Sequence, residues 1–269
     1  MSRRHKFIAL TPPILACIVA YLAAFILAFY DARLCAIPLA LFLIVCLAAP
    51  FFPGLSFYLP VISRGSSGRM AVAVSFDDGP DPATTPALLD MLKKHGTSAT
   101  FFVTGKRASE HRGLVRQILS EGHSIGNHSY NHSPLLMLKS YSHLLHEIRS
   151  TQALLAEFGI APLVFRPPVG ITSPRLGQAL AETGLLCVNF SCRGYDAGNR
   201  FIRRLSNKIL IKAKPDDIIL LHDSAPNENF NLNNYLTEIE SILVGMKKKG
   251  LEILPLSEII GTAVMRTWP

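Results

Sequence analysis

The stretch MAVAVSFDDGPD, residues 70–81, runs from an uncharged apolar segment into two adjacent carboxylates and a Gly-Pro turn. Alternating Val and Ala without charge suit a strand buried on both faces, the condition of a parallel sheet. Gly79-Pro80 stops that strand sharply. Acids at the C-terminal end of such a strand stand where parallel α/β folds place their chemistry. One carboxylate can hold a metal while its neighbour handles a proton. A helix N-cap with a solvated acid is the competing account of the pair, and the residues able to join it decide between the two.

Downstream, apolar segments at 99–104, 124–126, 163–165, 185–190, 218–221 and 252–255 alternate with amphipathic stretches at 86–95, 111–121, 138–158, 174–183, 200–212 and 232–249. With 71–76 these make seven expected strands, and Gly96, Gly122, Gly159, Gly184 and Gly250 mark junctions between elements. Strand–helix repetition of this kind implies a parallel sheet or barrel.

The other residues able to carry chemistry follow strand ends. His128 and His132 stand four apart, so one helical turn would put both imidazoles on one face at a spacing suited to a shared metal. With one carboxylate they would make a facial triad that leaves positions open for water; a pair of exposed histidines is the plainer account. Arg166 precedes Pro167, Pro168, Val169 and Gly170, a stiffened turn that would hold the guanidinium for orienting a carboxylate. Asp196 follows the fifth strand, and His222 closes the sixth in IILLHD. A His delivered there serves as a general acid if an acidic partner keeps it protonated.

Taken together these stretches resemble the polysaccharide deacetylase family, carbohydrate esterase family four, over about residues 70–260. SFDDGP at 75–80 matches the family's first motif, HSYNH at 128–132 the second, RPPVG at 166–170 the third and LLHD at 220–223 the fifth. The resemblance implies a distorted (β/α)7 barrel. It assigns Asp78, His128 and His132 as ligands of one divalent metal, usually zinc, Asp77 as catalytic base, and Arg166 as the residue orienting that base. It assigns His222 as general acid tuned by Asp196, and places substrate against Pro168, Val169 and Gly170. Val169 stands where the family usually has Tyr, Ala197 where many members have Trp, and Ser133 where Pro often follows the second His. None of these departures removes a ligand or a catalytic group.

The front of the chain is of another kind. Hydrophobic residues make up 49% of the 269, more than a soluble domain usually shows, and the excess lies at the N-terminus. Residues 7–30 carry no charged side chain, and neither do residues 34–63. Each run exceeds the roughly 20 apolar residues that cross a bilayer, and Asp31-Ala32-Arg33 between them reads as the turn of a two-helix transmembrane hairpin. The second span is expected to end near Ala49, with 50–63 lying along the interface. The expected organisation is therefore a membrane anchor at 1–63, a linker at 64–69 and a catalytic domain at 70–262. Arg3, Arg4 and Lys6 before the first span, with Arg64 and Arg69 after the second, place both ends on the cytoplasmic side of an inner membrane by the positive-inside rule.

The net charge of +8 divides evenly: residues 1–64 hold five Lys/Arg against Asp31, leaving +4 for the rest. That suits an anionic membrane surface or a phosphorylated lipid carrier, and no basic-aromatic array points to nucleic acid. The five cysteines fit no disulfide framework and no CxxC motif. The expected activity is metal-dependent deacetylation of an N-acetylated amino sugar in a glycan, oligosaccharide or lipid-linked saccharide. Removal of a formyl or longer acyl group from a lipid-linked sugar, and an inactive carbohydrate-binding scaffold, are the competing readings.

Overall fold

The computed structural model describes residues 11–268. Residues 71–76 lie in a strand that is buried along its whole length. Strands are numbered in chain order: β1 Val61–Ile62, β2 Ala71–Asp77, β3 Thr100–Val103, β4 Ser124–Asn127, β5 Ile160–Pro162, β6 Val164–Phe165, β7 Leu186–Val188, β8 Cys192–Arg193, β9 Ile218–His222, β10 Glu252–Ile253 and β11 Met265–Thr267. Nine of them form one sheet in the order β1-β7-β6-β4-β3-β2-β9-β8, with β10 also paired to β2. Every pairing in that sheet is parallel. The remaining two, β5 and β11, pair antiparallel.

All seven expected strands are present and the α/β architecture is as anticipated, but the ring is not closed. The sheet path ends at β1 on one side and β8 on the other, and no strand pairing joins them among the described residues. Both end strands are two residues long. The molecule is a partial barrel with a seam.

Alternation along β2 sorts its side chains onto two faces. Val72, Val74 and Phe76 pack outward against Leu88, Leu92, Ile239 and Met246 of the surrounding helices. Ala71 and Ala73 point inward, toward Phe102, Val164, Val188 and Ile218. The small inward residues leave room for Ser75 and Asp77 further along the same face. The helices begin and end as their caps dictate: over Pro174–Thr183, the Ser173 side chain accepts from the Leu176 N–H, Pro174 occupies the first turn and Gly184 closes the helix at φ 69°.

The boundaries differ from expectation at both ends. Val61 and Ile62, expected in the anchor, pair with Cys187 and Val188 of β7. The expected linker is bound to the domain: Gly65 N–H donates to Asp216 O at 2.8 Å, Ser66 N–H to Ile259 O at 3.0 Å, and Ser67 N–H to Asp216 Oδ1 at 2.9 Å. At the other end β11 carries the domain past residue 262. The expected helix over 200–212 is shorter, Leu205–Lys212, because Arg204 takes a left-handed conformation at its start.

The N-terminal apolar region forms a helix at Pro12–Ala28, then a 3-10 turn at Ala32–Cys35 and a helix at Ala36–Ala48. The continuous run Ala32–Phe51, 20 residues, is long and apolar enough to cross a membrane, whereas Pro12–Ala28 is shorter. Residues 7–10 of the first expected span, and the Arg3, Arg4 and Lys6 used for orientation, lie outside the described residues. The helical segment touches the barrel directly: Tyr58 donates to Cys46 O at 2.6 Å, and Thr172 N–H donates to Pro50 O at 3.2 Å.

Candidate active site

Asp77 sits at the end of β2 on the inward face, one residue pair above Ser75, and Arg166 reaches it from the end of β6. The guanidinium is fully buried over the Phe102 ring, 3.8 Å from its centroid. It donates to Asp77 Oδ1 at 2.6 Å, Ser75 Oγ at 2.8 Å and the carbonyls of Val188 and Asn189. Burial pushes its pKa down, and the Asp77 carboxylate opposes that shift. Arg166 is held by these bonds and by packing inside the barrel more than by the two prolines that follow it.

Asp78 turns out of the strand at φ 74°. Its Oδ1 lies 3.1 Å from His132 Nε2 and 3.5 Å from His128 Nε2, and the donor atoms of the three residues all lie within 4.8 Å of one another. The two imidazoles do meet, with centroids 4.8 Å apart, but not through a helical turn. Residues 128–132 form a loop in which Ser129 (φ 64°) and His132 (φ 52°) are left-handed. The loop, not a 3.6-residue period, supplies the convergence.

Three features fit a divalent cation at this trio. Asp78 Oδ1 is buried, yet no donor is aimed at it well enough to form a hydrogen bond. His128 Nδ1 is committed to Arg166 O at 2.7 Å, which leaves Nε2 as the ligand nitrogen. Two imidazole nitrogens and a carboxylate oxygen are also the donor types of an open zinc site. Burial pushes the Asp78 carboxyl up, but the His128 contact and the nearby charges of His132 and His222 outweigh it and hold the group well below the usual range. Burial and then the neighbouring His128 push His132 down, toward the neutral form a ligand needs. His128 is pushed up against its own burial by Asp77 and Asp78. Those carboxylates would equally draw a metal cation into the proton's place.

His222 ends β9, directly beside Asp77 in the sheet register. Its Nδ1 lies 2.8 Å from Asp196 Oδ2. Burial works against protonation, but the Asp196 bond and charge prevail, with Asp78 and Asp77 adding to them, and the pKa rises to about 9. The His222 backbone is anchored as well, its carbonyl accepting from Tyr235 Oη at 2.6 Å and Asn199 Nδ2 at 2.9 Å.

One cleft of about 790 Å³ brings Asp77, Asp78, His128, His132, Asp196 and His222 together. Val169 and Gly170 form part of its wall. Pro168 is buried, and Arg166 is bonded to Asp77 without lining the cleft itself. Val169 has φ 54° and is half exposed. A β-branched residue in that region is strained, and strain of this kind clusters at functional sites. Tyr195 (φ 57°) and Ala197 (φ 51°) on the same wall share the left-handed geometry.

The sequence model of the family described as polysaccharide deacetylase matches residues 64–188. A peptidoglycan-N-acetylglucosamine deacetylase of Bacillus cereus is 34% identical over 191 residues, covering 70% of this chain and 87% of the relative. The chain belongs to the polysaccharide deacetylase family. A chitooligosaccharide deacetylase of Azorhizobium caulinodans is 31% identical over 203 residues, covering 72% of this chain and 96% of the relative. Among solved structures, a peptidoglycan N-acetylglucosamine deacetylase in complex with 4-naphthalen-1-yl-N-oxidanyl-benzamide superposes with a TM-score of 0.69 at 31% identity, over 77% of this chain and 95% of that one.

Within this polysaccharide deacetylase fold, sequence reasoning missed Glu147. Its buried carboxylate accepts from the Tyr130 N–H at 3.0 Å, the Asn131 N–H at 2.8 Å and Asn131 Nδ2 at 2.6 Å, so it clamps the loop that carries both histidines. A signal was there: Glu147 falls on the buried stripe of Leu144, Ile148, Thr151 and Leu155, where an acid needs a partner.

Proposed function

We propose that this chain hydrolyses the acetamido group of an N-acetylated amino sugar in a glycan or oligosaccharide, releasing acetate and a free amine. What carries the reading is the convergence of a proton acceptor, a protonated imidazole and a metal-donor trio in one cleft. Asp78, His128 and His132 would hold one divalent ion, with zinc fitting the two-His, one-carboxylate set. Such an ion supplies Lewis acidity toward water and the amide carbonyl.

The chain's own residues do the remainder. Asp77, oriented by Arg166 through Oδ1, takes the proton of the attacking water on its second oxygen. His222 is already protonated at neutral pH and gives its proton to the departing nitrogen as the C–N bond breaks. Asp196 holds the imidazole by Nδ1 and leaves Nε2 for that transfer. The backbone at Val169, fixed in its left-handed turn, is the candidate donor to the developing oxyanion.

In the same reading the two apolar helices form a hairpin in the plasma membrane, with the cleft on the cytoplasmic side as the basic residues at 3, 4 and 6 suggest. Full-length chain in detergent, reloaded with zinc, is incubated with N-acetylglucosamine oligomers and the products are weighed by mass spectrometry. Successive loss of single acetyl groups supports the proposal. Intact oligomers with one metal bound per chain would refute this substrate class.

A further inference from the structure

The open seam between β1 and β8 leads into a second groove of about 850 Å³. Its outer wall is apolar and comes from Phe51, Phe52 and Leu55, at the end of the membrane-length helix and just beyond it. Its inner end is not separate from the catalytic cleft, because Val169, Gly170, Phe190, Arg193 and Tyr195 line both. No acidic side chain lines the groove.

Between the apolar wall and the cleft stand two cations on one aromatic ring. The Arg193 guanidinium lies 4.4 Å from the Tyr195 centroid and Lys212 Nζ 4.6 Å from it. Among the described residues neither forms an ion pair, whereas Arg64 in the same groove is neutralised by Asp217 at 2.5 Å. Both residues are exposed, so each cation has its charge open to an anion entering the groove, with the Tyr195 ring fixing where it stands.

Phe51, Phe52, Leu55 and Lys212 line the groove alone, whereas Arg193 and Tyr195 line both it and the catalytic cleft, which sets the cations between the apolar wall and the cleft. That is the order of parts in a sugar joined through phosphate to a long-chain lipid: hydrocarbon tail, phosphate, acetamido sugar. We infer that this groove binds the phosphate and adjoining hydrocarbon of a lipid-phosphate-linked N-acetylated sugar, with Arg193 and Lys212 clasping the phosphate. The sugar end of the inference rests on the deacetylase reading above, and the groove itself does not.

The test uses full-length chain in neutral phosphatidylcholine nanodiscs carrying Asp77→Asn, so that ligand is held without turnover. Three probes are compared: N-acetylglucosamine on a long-chain prenyl pyrophosphate, the same sugar as an uncharged alkyl glycoside, and inorganic phosphate. The phosphorylated lipid is expected to bind about tenfold tighter than the alkyl glycoside, with phosphate alone far weaker. Adding Arg193→Gln and Lys212→Gln should abolish that preference. In the otherwise native chain Lys212→Gln alone, at a residue that lines the groove and not the catalytic cleft, should leave turnover of soluble oligomers within about twofold and the thermal midpoint unchanged. Equal binding of both lipids, or a preference that survives the double substitution, would overturn the inference. Phosphate competing as well as the lipid would reassign the groove to a soluble phosphorylated ligand and overturn it too. The binding readings stand whether or not acetate is released, so failure of the deacetylase reading appears separately, as inactivity of the native chain.

Discussion

Asp196 Oδ2 and His222 Nδ1 lie 2.8 Å apart, both groups withdrawn from solvent. The pair lifts the His222 pKa to about 9 and makes the imidazole a usable acid at neutral pH. Loss of activity on the alkaline side should therefore follow an apparent pKa near that value. Asp196→Asn should move this limb down toward the ordinary histidine range near 6.5 and cut kcat at pH 8 by roughly 10- to 100-fold. A pH–rate profile of both proteins checks it. Because the folded pKa is raised, the pair's contribution to stability is complete below the unfolded value and fades as pH rises through about 9, which denaturant melts at pH 6 and pH 10 would show.

The Asp78–His128–His132 trio predicts metal loss on substitution. Asp78→Asn should lower metal content from one ion per chain to well below that, with activity falling at least about 100-fold. Elemental analysis after dialysis, alongside turnover, reads both effects. Chelation of the native chain should lower its thermal midpoint, and added zinc should restore it.

Glu147 touches no ligand side chain directly but holds the loop that carries them. Glu147→Ala leaves two backbone N–H groups without their buried acceptor and should cost about 2–3 kcal/mol of stability, with metal affinity reduced about tenfold. Glu147→Gln keeps an acceptor oxygen and should recover much of both. Metal titration of the two variants separates positioning from simple unfolding.

Val169 holds φ 54° with a β-branched side chain. Val169→Gly should relieve that conformation and raise stability by about 1 kcal/mol, seen as a higher urea midpoint.

The seating of β1 predicts where the chain can be cut. Leu59 is buried against Leu176, Leu180 and Leu185, and Val61 and Ile62 extend the sheet. A chain beginning at residue 65 should be less stable than one beginning at residue 53 by about 2 kcal/mol or more, measured by denaturant melts of the two.

How far the sequence alone reveals this arrangement depends on element length. The β2 run, the Ser173–Gly184 helix with its caps, and the placing of Asp77, Arg166 and His222 at strand ends are all readable from pattern. The two- and three-residue strands β1, β5, β8 and β11 show no period and, unlike the equally short β6, β7 and β10, do not fall in an apolar segment expected as a strand, so the seam and the true domain ends stay hidden. The histidine spacing reads as helical, while the left-handed turns at Ser129 and His132 that join the rings leave no mark in residue type. The groove at the seam is likewise hidden, since its walls come from residues as distant in sequence as Phe51 and Lys212.

Acetate release by the zinc-reloaded full-length chain from N-acetylglucosamine oligomers, measured beside Asp77→Asn, tests the central claim most directly. The account predicts release that disappears on chelation, returns with metal and is at least about 100-fold lower in the variant. Release that persists undiminished in Asp77→Asn, or that ignores metal, would contradict it.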